Sequence, residues 1–294
     1  MKVILSRKGF DSGYGGWASP ILPDGRMLSL PIPSSDGVVS YDQLSAGDAI
    51  SYLDIMHDLR RGAGDRFVLS HKTWQPRGRE IMAHLDPDLV ASVTARLPGW
   101  RGIFGQSNAA SSHLLKHNVG VGDLFLFFGR FRHAAPVDGH LSSVREYDMH
   151  AIWGYMLVGE ILEGSHKTHF PDWAVRHPHT QECFLDSPAH THNQIFIAAP
   201  TIPGTSIPGW GRFFWDNRLR LTRPESPALC DWCLPRCFCD VNDMTYHLGG
   251  KSRYGWHGDT FWAAQKGQEF VIPEGHPAVE EWAMELVRSM RSEH

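Results

Sequence analysis

The chain has 294 residues, 42% of them hydrophobic and 20% charged, which describes a globular protein able to bury a substantial core and excludes a disordered or fibrous one. Its formal net charge of -4 excludes a protein that coats nucleic acid through bulk positive potential, although a small or locally bound nucleic-acid substrate stays open. Histidine is the compositional oddity, with 18 copies, each a candidate proton carrier or neutral metal ligand near pH 7.

The chain opens with three apolar residues, Val3 to Leu5, before Arg7 and Lys8, too short a run for the apolar part of a signal peptide. No segment approaches the ~18 apolar residues of a membrane span, so a cytoplasmic protein without a membrane partner is expected. Residues 3–5 read as a first strand and residues 6–16, SRKGFDSGYGG, as a glycine-rich turn. Such a turn can bring backbone N–H groups, Arg7, Lys8 and Asp11 close to an anionic substrate. It carries neither G-x-G-x-x-G nor GK[ST], which favours a mainly structural role for the loop over substrate contact.

Residues 26–33 read as a strand and 34–37 as a turn. Ser45 and Asp48 stand in the S-x-x-D capping relation ahead of Ile50, Leu53, Met56 and Leu59, predicting a helix that ends near Gly62. Residues 66–70 read as a strand. In HLDPDLVASVTARLPG, residues 84–99, one reading makes Asp86 the N-cap of a helix stopped by Gly99. The other takes His84, Asp86 and Asp88 as a cluster of metal ligands, and the two are compatible. A short helix is predicted over 108–116, and Gln106 and Asn108 at its start can read a base or amide edge or simply cap and line a turn.

Residues 119–129 form an apolar run of β-favouring residues punctuated by glycines, predicting a strand buried on both faces. Residues 147–162 and 194–199 are two more strands. The loop between those two holds His166, His169, His177, His179, His190 and His192. His177 and His179 flank Pro178, so in an extended backbone they project to the same side and can hold one ion as a pair. A mononuclear iron or zinc site needs a further ligand, for which Asp86, Asp172 and Asp186 are available.

The proline- and glycine-rich residues 200–211 are a candidate subdomain boundary in what is otherwise a single large domain over residues 1–294. Residues 212–222 resume strand-like alternation, with Arg218, Arg220 and Arg223 as a local basic patch. Cys230, Cys233, Cys237 and Cys239 are spaced C-x2-C-x3-C-x-C. Four thiolates can close a metal site, but two separated C-x-x-C knuckles are the usual pattern, so a second metal here is not expected. Residues 267–272 read as a late strand. A last helix starts at Pro277 with Val279, Trp282, Leu286 and Met290 on its packing face. Neither a G-x-S-x-G elbow nor a nucleophilic cysteine motif is present.

Several segments, in the same order, resemble the family called nucleotide modification associated domain, third type: VILSRKGFDSGYGG with SPILPDG and LPIP, HLDPDL, FGQ followed by HL, VGDLFLFFGRFR, IWGYMLVGEI, HPH and GQEFV. The resemblance runs along nearly the whole chain and implies an association with nucleotide or base modification. Its polar motif residues here are Arg7, Lys8, Asp11, His84, Asp86, Asp88, Gln106, His177, His179, Gln268 and Glu269, and the cysteine cluster stands outside the pattern. A shorter likeness, V-G-D feeding an aromatic strand followed by IWGYMLVGEI, is similar to the central pair of PUA-like base-reading barrels.

The expected fold is α+β, with a mixed or barrel-like sheet, PUA-like at its centre, and flanking helices. The expected function is a metal-dependent, iron-using enzyme that modifies a nucleobase, nucleotide or related small substrate. His177 and His179 with Asp86 or His84 are expected to hold the iron or zinc. Arg7, Lys8, Gln106 and Gln268 are expected to bind substrate, and Asp11 or Glu269 to act as acid or base. The alternatives are a non-catalytic module reading a modified base in nucleic acid through the Arg218, Arg220 and Arg223 patch, and a metal-dependent oxidoreductase acting on a peptide or other metabolite. Oligomeric state is not legible in the sequence.

Overall fold

The structure, a computed structural model, describes residues 1–35, 37–60, 66–70, 73–76, 82–246, 254–265 and 268–294. The expected helix end at Gly62, Asp36 of the expected turn and Gly267 of the expected late strand lie outside the described residues. The fold is α+β, built on a mixed ten-stranded sheet. Its strands are β1 (Val3–Arg7), β2 (Ser19–Ile21), β3 (Ile103–Gln106), β4 (Leu124–Val137), β5 (His140–Ser143), β6 (Met149–Glu163), β7 (Gln194–Ala198), β8 (Trp210–Phe213), β9 (Glu269–Ile272) and β10 (Ser292–Glu293). The helices are α1 (Tyr52–Leu59), α2 (Asn108–Lys116) and α3 (Pro277–Ser289).

The main path through the sheet is β3-β7-β6-β4-β1-β9, with β2 and β5 on β4 and β8 bridging β6 to β10. The path is open, since its ends β3 and β9 do not pair among the described residues, so the sheet is mixed and not a barrel. β4 lies between β1, parallel to it, and β6, antiparallel. That central place explains the unbroken apolar run, because residues 124–128 have neighbours on both faces and none exceeds 1% exposure. Under one face Phe104, Phe125, Phe127 and Phe196 pack with ring centroids 5.2 to 5.7 Å apart, edge-on or offset. Aromatic pairs in such arrangements each contribute about 0.5–1.5 kcal/mol beyond the area they bury.

Register on the other face matters for function. Arg7 pairs with Phe128, and Arg130 with His150, so strand alternation places Arg7, Phe128, Arg130 and His150 on one side of the sheet. Lys8, the residue after Arg7, instead meets Glu269 and the face of Phe104 on the opposite side. Adjacent cations at the end of β1 therefore serve opposite faces.

Several local expectations are corrected. The capping box of α1 is Ser51 with Asp54, not Ser45 with Asp48. Ser45 lies in a short strand and Asp48 in the turn after it with φ 53°, both held by the pairing of Ser45–Gly47 with Ile50–Ser51. Residues 26–33 form only isolated bridges and the two-residue strand Ile32–Pro33. Residues 84–99 hold no α-helix, only the 3-10 turn Ala91–Val93, because Asp86 is drawn inward and Asp88 is tied by backbone hydrogen bonds to Ile103. The alternation expected over 212–222 ends with β8, where a 3-10 turn at Asn217–Leu219, capped by Asp216, takes over.

Candidate metal centre and its cavity

Two short segments converge beside β3. The strand Met82–His84 pairs with Ile32–Pro33, Ile32 opposite His84, and delivers His84 with Asp86 two residues on. The 3-10 turn Pro178–Thr180, capped by the side chain of His177, brings His177 and His179. Tight winding, not the expected extended backbone, is what sets these two imidazoles. One donor atom from each of His84, Asp86 and His179 lie within 4.8 Å of one another, the one such grouping of three His, Cys, Asp or Glu among the described residues.

β3 makes room for the approach. A Cβ on Gly105 would lie 2.2 Å from His179 Cγ, so only glycine lets the imidazole settle against this strand. The Gly105 N–H donates to Asp86 Oδ1 at 2.7 Å. Asp86, 5% exposed at its side chain, also meets His177 Nε2 at 3.1 Å. His177 Nδ1 accepts the His179 N–H at 3.3 Å, so its proton sits on Nε2 and is given to Asp86. His177 thus holds the carboxylate from behind and stands outside the grouping of three.

His179 is oriented by Asn193. The Asn193 amide nitrogen donates to the His179 carbonyl at 2.8 Å, which fixes its oxygen at 2.7 Å from His179 Nδ1. An amide oxygen only accepts, so Nδ1 carries the proton and Nε2 presents a lone pair 3.9 Å from Asp86 Oδ2. A lone pair facing a carboxylate is repulsive until a cation lies between them. Burial, outweighing the pull of Asp86, drops the His84 pKa to about 4 and that of His179 to about 3, so both are neutral, ligand-ready imidazoles at pH 7. Burial opposes ionisation of Asp86, but the hydrogen bond from the neutral His177 and the charge of Lys8 hold its carboxyl well below the usual carboxylate range.

This cluster opens onto a cavity of ≈ 470 Å³ whose walls include Arg7, Lys8, Asp11, Gln106, Gln268, His84, Asp86 and His179. Lys8 Nζ stands 3.2 Å from Glu269 Oε1 and 4.4 Å from the Phe104 ring centre. Gln106 Nε2 donates to the same Glu269 oxygen at 2.6 Å. Glu269 itself is fully buried and reaches the cavity only through Lys8 and Gln106. Asp11 Oδ1 accepts the N–H groups of Gly13 and Tyr14 at 2.7 and 2.8 Å, which fixes the glycine-rich loop on the rim.

Asn193 and Phe184 contribute without a signal in the chain, and Gly105 is marked only by its place in FGQ. Phe184 walls the cluster, 4.6 Å from the His179 ring and 5.8 Å from that of His84. Of the remaining loop histidines, His190 lines the cavity, while His166 lies near Glu182 and away from the cluster. Asp88, read with His84 and Asp86 as a ligand, is instead bound by both outer nitrogens of Arg96. In the basic patch, Arg218 pairs with Asp216 and Arg223 with Asp231. The thiols of Cys230, Cys233, Cys237 and Cys239 form no group of three among the described residues.

Compared with known protein families, residues 2–273 match nucleotide modification associated domain 3. Nearly the whole chain is covered, and it belongs to that family. No curated protein and no solved structure matches it.

Proposed function

We propose that this member of the nucleotide modification associated domain 3 family is a metal-dependent enzyme that modifies a nucleobase, a nucleotide or a related small substrate. The observation that carries the reading is the grouping of His84, Asp86 and His179 at the wall of a polar cavity, with two imidazoles neutral and one carboxylate ionised. Two histidines and one carboxylate form the donor set of mononuclear iron sites with open positions, and zinc takes the same donors. The family name supplies the substrate class, and the cavity supplies groups suited to it. Such an ion would supply Lewis acidity or redox chemistry to a substrate in the cavity.

The chain's own residues divide the remaining work. His177 and Asn193 fix the orientation of Asp86 and His179. Lys8, held at 3.2 Å by Glu269, offers a directed cation, and Gln106, held by the same carboxylate, offers its amide. Asp11, on the rim with Oδ1 engaged by its own loop, is the group placed to accept or return a proton through Oδ2. Glu269 acts through Lys8 and Gln106.

Elemental analysis of protein purified without chelator tests this reading. A stoichiometric transition metal that is lost in Asp86→Ala supports it. A protein that carries no metal, and takes none up from added Fe(II) or Zn(II), would falsify it. In the Arg218, Arg220 and Arg223 patch of the base-reading alternative, Arg218 and Arg223 each have a carboxylate partner and Arg220 donates Nε to the Thr222 carbonyl.

A further inference from the structure

On the face of the sheet opposite Lys8 lies a second, larger cavity of ≈ 780 Å³, which shares Arg7, Asp11, Tyr14 and Gln268 with the metal cavity. The two spaces therefore meet at the end of β1. Phe128 and Trp232 form a packed floor, 5.1 Å between ring centres, and Arg7, Arg130 and His150 stand on the sheet above it.

Each of these three has hydrogen-bonding capacity to spare. Among the described residues the Arg7 guanidinium donates one bond, from Nη1 to the Gln265 carbonyl at 2.8 Å, and makes no ion pair. Burial works against its charge, with Asp11 and Glu269 the acids that offset it at longer range. Arg130 is held by Asp148 through Nε and Nη2, and its Nη1 is unpaired among the described residues. Asp148 also holds Arg132, so one carboxylate is divided between two guanidiniums. His150 is 8% exposed, and its Nδ1 accepts the indole N–H of Trp232 at 3.1 Å. Its proton therefore sits on Nε2, which has no partner among the described residues. The histidine is a neutral donor, since burial and then Arg7 and Arg130 push its pKa down to about 3.

We propose that this cavity holds a phosphate group of the substrate, gripped by Arg7, Arg130 and the Nε2–H of His150, while the rest of the substrate crosses the Arg7–Gln268 rim to the metal cavity. Two guanidiniums and one imidazole N–H form a donor set made for phosphate oxygens. Asp11, the acid on the rim, sits between the two spaces, where it can face a sugar or base. The phosphate can belong to a free nucleotide or to a nucleic-acid backbone. This subsite rests on the substrate class proposed above, but its test does not pass through the metal.

The experiment is calorimetric titration of the full chain with deoxynucleosides, their 5′-monophosphates and a short mixed-sequence single strand. The monophosphates bind at least about tenfold more tightly than the nucleosides, the loss of charge-assisted bonds being the difference. Arg7→Gln and His150→Phe each shrink that preference, and His179→Ala leaves it intact. In the wild-type protein, inorganic phosphate competes with the monophosphate better than chloride at matched ionic strength, a readout that needs no variant to fold. Tighter binding of the monophosphate than of the strand assigns a free nucleotide, and the reverse assigns a backbone. Equal binding of nucleoside and monophosphate by the wild-type chain overturns the proposal, as does a folded Arg7→Gln protein with the preference undiminished. A wild-type chain that takes up no Fe(II) or Zn(II) while the preference stands sinks the metal reading alone.

Discussion

His179 owes its position to a residue without a side chain. Because a Cβ on Gly105 would lie 2.2 Å from the imidazole, Gly105→Ala pushes the ring away from Asp86 and weakens metal binding, while the strand pairing of β3 with β7 survives. Asn193 and His177 act one step further out. Partners that orient ligands are typically worth 10–100-fold in affinity, so His177→Ala and Asn193→Ala should each weaken Fe(II) or Zn(II) binding by about that factor. Competition with a chromophoric chelator reads the change, and affinities unaltered in both variants would rule out their positioning role. At this scale the chain is half legible. HLDPDL and HPH announce His84, Asp86, His177 and His179 because histidine and aspartate are recognisable ligands wherever they stand. What no local pattern reveals is which face of Asp86 each imidazole takes, since that depends on a glycine and an asparagine in segments distant in sequence from both motifs.

Among the elements, α2 is found over the residues predicted, 108–116. α1 shows the opposite case. Two Ser-x-x-Asp pairs stand six residues apart, and the hairpin of Ser45–Gly47 with Ile50–Ser51 removes the first from contention. Ser51 Oγ accepts the Asp54 N–H at 3.1 Å while Asp54 accepts the Ser51 N–H at 2.8 Å. Ser51→Ala therefore costs about 1 kcal/mol in denaturant unfolding, whereas Ser45→Ala leaves the cap of α1 unaffected. The reverse order of effects would restore the pairing read from sequence. At β1 the alternation of side chains makes Arg7 and Lys8 separable. Lys8→Ala is expected to leave binding of inorganic phosphate unchanged, and Arg7→Gln to weaken it. Measured phosphate affinity in the two variants decides it, and equal losses would mean a single anion site. The pairing of strands through which this separation arises, β1 parallel to β4 and antiparallel to β9, is nonlocal and leaves no mark in the short apolar run of β1.

For the whole molecule, buried neutral histidines set the response to acid. His84, His150 and His179 have folded pKa values of about 4, 3 and 3, each lowered by burial from an ordinary 6.5. Above 6.5 neither folded nor unfolded chain protonates them, and stability from this source is complete. As pH falls from 6.5 toward 3–4 the unfolded chain binds protons that the folded one refuses, so stability declines throughout that window. Thermal unfolding followed from about pH 7.5 down to about pH 5 should show a falling midpoint, with a shallower fall in His150→Gln. A midpoint that does not move, or the same slope in the variant, would contradict the burial of a neutral His150 between Arg7, Arg130 and Trp232. The mixed sheet that buries these groups was legible as a class from its apolar runs, and its open edge was not, because strand order follows from long-range pairing. The proposed metal site requires that His84, Asp86 and His179 together hold a single ion. Anaerobic titration with Fe(II) gives the equilibrium metal-to-protein ratio in the wild type and in His84→Ala, Asp86→Ala and His179→Ala. A ratio of one in the wild type, lost in each variant while the fold persists by circular dichroism, is the predicted result. A wild-type ratio of zero, or a ratio that survives all three substitutions, would contradict it.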